Sequence, residues 1–418
     1  MKAKFSFIQK ILVLYVIIWT ISPPLQIDMI YRVAALGAIG LWFILNLPQN
    51  VRFERIHIFA IIFVLLIVIV NLIESKGDFG NLLKPINYYL LVVAFLMAYS
   101  YKDRWDELSS LIPIVLLLLI YFNFKTYQTV VEDPTIARLI VRNDPTIYPY
   151  MRSGVGGYSL LYSQVCIFPV LVSWILSSFK KSKLRFAIGV AWIVSYVMYI
   201  LNSGYTIALV TSIVSLVILF LYRRSSVVMA VVITTIIVVS LVWLIGYNDG
   251  FRNALLTFFD GTTVAKKIND IYLSITTENA ADSILVRMNA YWNSIVTILN
   301  YPFIGSLWWS SGGGHSALLD TFAKYGVFGL IIFVKIIFDL PLRIKKSPPT
   351  GKDTRIANAL FISLLMVLLL DSMPYNFVML IVFVVPICYN DILNWRKTDE
   401  NTLDSESDSV RSLTEVKN

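Results

Sequence analysis

Runs of about 20 apolar residues recur along the chain, and they constrain its fold more than any other feature. We find about twelve, at approximately 9–24, 30–48, 55–74, 84–100, 108–124, 157–178, 185–201, 204–222, 227–246, 314–337, 355–372 and 374–393. An α-helix needs this length to cross the hydrocarbon core of a bilayer. Hydrophobic residues make up 57% of the 418 residues and charged ones 15%, against about 45–50% and about 25% in soluble domains. We therefore predict an all-α polytopic membrane protein.

Lysine and arginine cluster at alternate ends of these runs, as membrane orientation signals do. Basic clusters follow or precede the runs near 2–10, 52–55, 102–104, 180–185, 223–224, 343–355 and 396–397, whereas the intervening turns SPPLQID, LNSGY and DSMPYN are almost free of them. The net charge of +9 therefore indicates membrane topology, and nucleic acid is not an expected partner. Both termini are predicted to be cytoplasmic. The helical bundle is expected to contact membrane lipids on every side.

Two connections are much longer than the others, and both are predicted on the outer side, at about 125–156 and 247–313. Loops beyond about 12–15 residues are usually functional or disordered. The second carries an apolar stripe at helical spacing, which predicts a helix at the membrane interface: Ile284, Met288, Tyr291, Ile295 and Ile298. We assign residues 1–393 to one transmembrane domain, and the polar segment 394–418 to a disordered cytoplasmic tail.

Basic residues on the outer side need an explanation, because the topology disfavours them there. The first long loop contains Arg138, Arg142 and Arg152, the second contains Arg287, and Lys84 lies at an outer span end. Arginine binds phosphate through paired, charge-assisted hydrogen bonds. These residues are candidate contacts to a lipid phosphate or diphosphate. The alternative is that they form salt bridges with acidic residues of solvated loops.

His315 is one of two histidines, and it follows three consecutive glycines directly before an apolar helix. Glycines let a backbone approach a ligand closely, and the N–H groups that open a helix attract anions. We therefore consider Gly313, Gly314, His315 and Ser316 as a phosphate-binding turn, in which His315 binds phosphate or moves a proton. The alternative is a helix-capping histidine at a flexible hinge. The other histidine, His57, is predicted to be an interfacial anchor.

Motifs of nucleotide-dependent or metal-dependent enzymes are missing from the sequence, including the Walker loop, HExxH and GxSxG. No cofactor is expected. The two cysteines, Cys166 and Cys388, lie inside apolar runs and are predicted to be buried. Any chemistry is expected at the outer membrane surface, without nucleotide and without metal.

Two local motifs and the order of the spans resemble the Wzy-like O-antigen and capsule repeat-unit polymerases and the related O-antigen ligases. One motif begins at Arg287 with Arg-Met-Asn-Ala-Tyr-Trp-Asn-Ser and ends at Pro302-Phe-Ile-Gly305. The other is Gly-Gly-Gly-His-Ser-Ala-Leu-Leu-Asp-Thr-Phe-Ala-Lys-Tyr-Gly-Val-Phe-Gly, at 312–329. Many relatives begin one span with Ser-Arg-small, where this chain has Ser203-Gly204-Tyr205; the resemblance does not supply that arginine contact.

The resemblance implies a GT-C-like membrane glycosyltransferase architecture in the bacterial cytoplasmic (inner) membrane. Donor and acceptor would be undecaprenyl-diphosphate-linked glycans, polymerised into O-antigen, capsule or exopolysaccharide on the outer face. A chain-length regulator and a flippase are the implied protein partners. Arg287 and His315 match the arginine and histidine that the family places at its reaction centre, so they are the catalytic candidates.

Two other functions fit the same sequence features. A ligase would move the finished glycan from the same carrier to a different acceptor. A flippase or transporter would move the lipid-linked glycan across the membrane, and it would be expected to show related halves and polar groups along a midplane path. The sequence shows neither of those transporter features clearly.

Overall fold

The computed structural model describes residues 2–46, 54–74, 86–101, 104–133, 136, 139, 145–203, 205–222, 226–276, 282–307, 313–346, 351–371 and 380–395. Within these ranges the chain consists of α-helices, short 3-10 turns and connecting segments, without a β-strand. The predicted all-α fold is confirmed. Of the tail predicted at 394–418, residues 396–418 lie outside the described part of the chain.

Seventeen α-helices are present in the described ranges. Their bounds are α1 Lys2–Ile21, α2 Pro23–Ile27, α3 Met29–Asn46, α4 Arg55–Glu74, α5 Ile86–Tyr99, α6 Leu111–Glu132, α7 Tyr148–Arg152, α8 Tyr158–Ser178, α9 Lys183–Asn202, α10 Thr206–Leu221, α11 Val227–Tyr247, α12 Asp249–Phe258, α13 Thr263–Thr276, α14 Asp282–Asn300, α15 Ala317–Lys346, α16 Gly351–Leu370 and α17 Leu380–Trp395. Each of the apolar runs found in the sequence coincides with one of these helices.

Five helices are long and apolar enough to cross a membrane: α4, α6, α8, α9 and α11. Shorter apolar segments lie in α1, α3, α10, α16 and α17. The helix α8 is central, because 83% of the residues in its most apolar stretch are buried inside the protein. In α11, only 17% of the residues in the corresponding stretch are buried. The membrane character of the bundle agrees with the prediction, and a total of about twelve crossings stays a prediction.

One end of the bundle holds the junctions that the charge pattern places in the cytoplasm. Arg343 of α15 pairs with Glu54 at 2.6 Å and with Asp339 at 2.5 Å, and Tyr99 at the end of α5 donates a hydrogen bond to Asp339. These contacts join α15 to the start of α4 and the end of α5.

A second cluster, around Asp391 of α17, ties further junctions of the predicted cytoplasmic side. Its carboxylate accepts hydrogen bonds from Ser109 at 2.8 Å, from the Trp174 indole at 2.9 Å and from Arg185 at 3.2 Å. Arg185 also lies over the ring of Trp395, 5.7 Å from its centroid. The cluster joins the residues before α6, the end of α8 and the start of α9 to α17.

The opposite end holds connections predicted on the outer side. Arg152, in α7, pairs with Asp28 at 2.8 Å, and the N–H of Ala317 donates to the carbonyl of Asp371 at 3.0 Å. The described connections thus share ends of the bundle as the predicted alternation requires. Which end faces the cytoplasm rests on the charge pattern.

Buried polar side chains join α6, α8 and α9 inside the bundle. The amides of Asn123 and Gln164 exchange two hydrogen bonds, of 2.8 and 2.7 Å. The Trp192 indole donates to Gln164 at 2.9 Å, and Asn123 donates to Ser195 at 3.3 Å. Polar contacts of this kind hold helices together where lipid gives no hydrophobic driving force between them.

Two helices extend past their predicted ends. The helix α6 continues from 124 to Glu132, so the first long connection begins later than predicted. Thr126 donates its hydroxyl to the Phe122 carbonyl at 2.6 Å and accepts the N–H of Gly156 at 2.6 Å, which ties this added turn to the loop that follows. The helix α15 continues from 337 to Lys346, with Asp339 and Arg343 neutralising each other across one turn.

Candidate functional site

The helix α15 is broken at Gly326, where φ is 65° and ψ is −169°. A side chain at this position would place Cβ 2.0 Å from the carbonyl oxygen of Phe303, so both the left-handed backbone and the close contact require glycine. The break divides α15 into an upper part, Ala317–Tyr325, and a lower part, Val327–Lys346.

The segment after α14 fills this break through backbone hydrogen bonds. The N–H of Val327 donates to the Pro302 carbonyl at 2.9 Å, and the N–H groups of Ser306 and Leu307 donate to the carbonyls of Ala323 and Lys324 at 2.9 and 3.1 Å. Non-helical backbone is tolerated near a membrane when protein groups satisfy it in this way. The two motifs that carry the family resemblance are therefore one interlocked structure.

The turn that carries His315 lies against α14 on one side. A Cβ on Gly313 would stand 2.0 Å from the carbonyl oxygen of Ala290, and Gly314 has a φ of 77°. The two described glycines of the run are thus required for different reasons: Gly313 for a close backbone approach and Gly314 for a left-handed conformation. His315 itself is half-buried. Within the part of the chain that the structure describes, its imidazole makes no hydrogen bond or ion pair.

Two polar side chains fix the ends of this turn. The N–H of Gly313 donates to the Ser294 hydroxyl at 2.9 Å, which donates to Asp320 Oδ1 at 2.8 Å. The N–H of Ser316 donates to Asp320 Oδ2 at 3.3 Å. Ser294 and Asp320 are both buried. We refer to Ser294, Asp320 and the N–H groups of Gly313 and Ser316 as the carboxylate clasp.

The start of α15 is capped by the protein itself. The Ser316 hydroxyl accepts the N–H of Leu319 at 3.3 Å, the N–H of Ala317 is bonded to Asp371, and the N–H of Ser316 is bonded to Asp320. These N–H groups were expected to attract an anion, but they are already used and a carboxylate lies among them.

Arg287 and the His315 turn converge on the last turn of α16. Arg287 Nη1 and the Tyr291 hydroxyl both donate to the carbonyl of Leu370, at 3.3 and 2.9 Å. The Ser316 hydroxyl donates to the carbonyl of Leu368 at 3.2 Å. One donor of Arg287 is thus used for positioning. The helix end at 368–371 thus contacts both Arg287 and Ser316, the residue that follows His315.

Burial raises the pKa of Tyr291, an effect that Arg287 partly opposes. The phenol therefore stays protonated at physiological pH and keeps its hydrogen bond to Leu370. Since this hydrogen bond joins α14 to α16, Tyr291 helps to fix the position of the helix that carries Arg287.

The apolar face of α14 does not pack on the protein. Met288, Trp292 and Leu299 are 60%, 63% and 72% exposed, whereas Ala290 and Ser294 are buried. The helix therefore meets the bundle through Ala290, Ser294 and the Tyr291 hydroxyl and leaves the exposed apolar side chains outward, as a helix at a membrane interface would.

Other predicted site residues lie apart from this arrangement. Arg152 is largely exposed and pairs with Asp28, so for this residue the salt-bridge alternative describes the observed contact. Arg138, Arg142 and Lys84 lie outside the described residues.

The prediction that His57 is an interfacial anchor is wrong. Its side chain is fully buried, its Nδ1 accepts the N–H of Glu54 at 2.7 Å, and its ring packs edge-on against Tyr99. The neighbouring helices α5 and α15 cover the position, which the local sequence beside Arg55 does not reveal.

Sequence reasoning missed the two side chains of the carboxylate clasp. Ser294 is seven residues after Arg287 and so lies on the same face of α14. Asp320 is four residues after Ser316, the spacing of one helical turn. Both spacings were available as signals, but a serine and an aspartate at such positions are common on ordinary helices. No protein-family model matches the chain, and a comparison with curated proteins finds no significant match.

Proposed function

We propose that the chain is a membrane glycosyltransferase that polymerises undecaprenyl-diphosphate-linked oligosaccharide repeat units on the outer face of the bacterial cytoplasmic membrane. The observation that carries the proposal is the convergence of Arg287 and the His315 turn on the last turn of α16. This pair stands at one end of an apolar helical bundle, where a lipid-linked substrate presents its headgroup.

The chemistry would be displacement at the anomeric carbon of the donor sugar. A hydroxyl of the acceptor repeat unit attacks C1 while the bond from C1 to the diphosphate oxygen breaks. The Arg287 guanidinium, held by one N–H, has further donors for the leaving diphosphate, and stabilising a developing charge in this way is usually the largest catalytic effect. His315 either accepts the proton of the attacking hydroxyl or binds the diphosphate.

Polymer length in a deletion strain tests this function. We expect His315→Ala and Arg287→Ala, at matched protein levels, to leave single lipid-linked repeats, with the rate of the purified enzyme lowered about 100-fold or more. Arg32→Ala is the matched control, because Arg32 is an exposed arginine that contacts only Gln26 among the described residues. Full-length polymer from either site variant would remove that residue from the mechanism.

The same strain separates the related functions. Normal-length polymer that stays on the lipid carrier would identify a ligase. Elongation of lipid-linked repeats by the purified protein, without an ion gradient, would exclude a carrier as its sole activity.

The variant His315→Gln separates the two roles of the histidine. Glutamine keeps an N–H donor at a similar reach but cannot accept a proton. We expect most of the activity to remain if His315 binds the diphosphate, and a loss as large as that of His315→Ala if it is the base. Initial rates at saturating donor give the comparison.

A further inference from the structure

The turn that carries His315 is held at both ends by a single buried carboxylate. We propose that Asp320 is a positioning residue that sets His315 relative to Arg287, acting through Ser294 and the N–H groups of Gly313 and Ser316. The inference deepens the proposed function and rests on it for the meaning of the two site residues.

The geometry of the clasp encloses the histidine. Upstream of His315, the link runs from the Gly313 N–H to the Ser294 hydroxyl at 2.9 Å and on to Asp320 Oδ1 at 2.8 Å. Downstream, the Ser316 N–H reaches Asp320 Oδ2 at 3.3 Å. Each carboxylate oxygen therefore fixes one end of a four-residue turn whose middle residues are Gly314 and His315.

An aspartate suits this place better than any neutral residue. Both partners are donors, and an ionised carboxylate is an acceptor at both oxygens. An asparagine could accept only one of the two bonds; with its oxygen on the Ser316 N–H, the Ser294 hydroxyl would have to turn its proton to the Ala290 carbonyl, its other acceptor at 3.2 Å. Lys324, one turn further along α15, interacts electrostatically with Asp320. Hydrogen bonds to a charged group are about twice as strong as those between neutral groups.

The clasp does more than cap a helix, because it reaches a second helix. Ordinary capping bonds stay within the first turn, whereas Ser294 belongs to α14, the helix of Arg287. Arg287 and Ser294 lie on the same face, two turns apart. Through Ser294, Asp320 therefore fixes the spacing between the arginine on α14 and the histidine before α15.

The experiment compares variants of the full-length protein in lipid nanodiscs, by hydrogen exchange and by steady-state kinetics. The variants are Asp320→Asn, Ser294→Ala and Ser294→Thr, and the control is Asn293→Ala, an exposed neighbour on α14. We expect Asp320→Asn and Ser294→Ala to speed exchange of the peptide that contains Gly313 and Ser316 about tenfold. Exchange in the central helix α8 should stay unchanged, which shows that the bundle is folded.

With undecaprenyl-diphosphate-linked repeats as substrate, kcat should fall about 100-fold in these two variants with little change in KM, as expected when reacting groups are misplaced. Ser294→Thr retains the hydroxyl and should restore both readouts, and Asn293→Ala should match the wild type. If Asp320→Asn does not fold, the pair Ser294→Ala and Ser294→Thr gives the same test.

Unchanged exchange and unchanged kcat in Ser294→Ala would overturn the proposal, and so would faster exchange without a loss of kcat. Failure of the proposed function looks different. The wild type would then not elongate the lipid-linked repeats at all, while exchange would still show whether the clasp holds the turn.

Discussion

Three glycines stand where the backbone of one segment touches the backbone of another. Gly326 would clash with Phe303, Gly305 with Lys324 and Gly313 with Ala290, each with a Cβ within 2.3 Å of a carbonyl oxygen. No rotamer change relieves such a contact, because the obstacle is main chain. The glycines are therefore required for the loop between α14 and α15 to lie against both helices.

At Gly326 the requirement can be measured. Alanine would have to adopt a φ of 65° and displace the Phe303 carbonyl, so we expect Gly326→Ala to lose about 1–3 kcal/mol of stability from backbone strain alone, with the contact adding to it. Thermal unfolding in detergent gives the measurement. Gly40→Ala is the control, because no heavy atom outside its own helix segment lies within 4 Å of a Cβ there. Equal melting temperatures for the two variants would contradict the interpretation.

The residues of the candidate site show why local reasoning predicts only part of its contacts. Arg287 and His315 stand out because each is an unusual residue in its local context. Ser294 and Asp320 are ordinary residues for a helix. Their importance arises from a contact between two helices, made by residues that are 26 positions apart in the sequence. Asp28, the partner of Arg152, is even more distant from it in the sequence, and no local pattern predicts such a pairing.

Helices α6, α8 and α9 depend on a polar contact at their centre. The Gln164 amide exchanges two hydrogen bonds with the Asn123 amide and accepts a third from the Trp192 indole. All three side chains are buried. Loss of Gln164 leaves the Trp192 indole and the Asn123 amide oxygen without this partner, while the Asn123 N–H group keeps Ser195; buried polar groups left unpaired in this way are costly.

We expect Gln164→Leu to lower stability by about 1–3 kcal/mol, since it leaves the Asn123 amide oxygen and the Trp192 indole unsatisfied. Unfolding in mixed micelles with increasing denaturing detergent is the measurement. Ser173→Ala, on the same helix, is the control, because the Ser173 hydroxyl bonds only within α8, to Pro169. A variant as stable as this control would show that the network contributes nothing measurable.

Helix positions followed from the sequence because apolar runs report burial in lipid or protein regardless of the neighbours. Helix ends were less predictable. The helix α6 gains two turns since its end is tied by Thr126 to Gly156, and α15 runs on because Arg343 finds Glu54 and Asp339. In both cases a tertiary contact keeps residues in the helix that hydropathy alone would place outside it.

The whole molecule separates its junctions into two ends, and this gives a direct test of orientation. Both cysteines, Cys166 and Cys388, are buried, so single reactive cysteines can be introduced without removing them. We expect a membrane-impermeant maleimide to label Lys266→Cys in intact cells and Lys180→Cys only after permeabilisation, because both positions are exposed and lie at opposite ends of the bundle.

The reverse labelling pattern would place His315 in the cytoplasm and would contradict the proposed function. Labelling of the unaltered protein, with its two buried cysteines, measures the background of the experiment.

The break in α15 also bears on which part of this helix lies at the level of the lipid headgroups. Its lower part, Val327–Lys346, ends in turns that carry Asp339 and Arg343 of the predicted cytoplasmic junction, so its apolar stretch at about 1.5 Å per residue is shorter than the roughly 30 Å hydrocarbon thickness of a typical bilayer. The nine-residue upper part, Ala317–Tyr325, is therefore needed to complete the predicted crossing. In a membrane the first turn of this upper part, which contains the buried Asp320, would then stand at the level of the lipid headgroups. Under the proposed function, the diphosphate of a lipid-linked donor sits at that same level, so the donor would meet His315 without leaving the plane in which it diffuses.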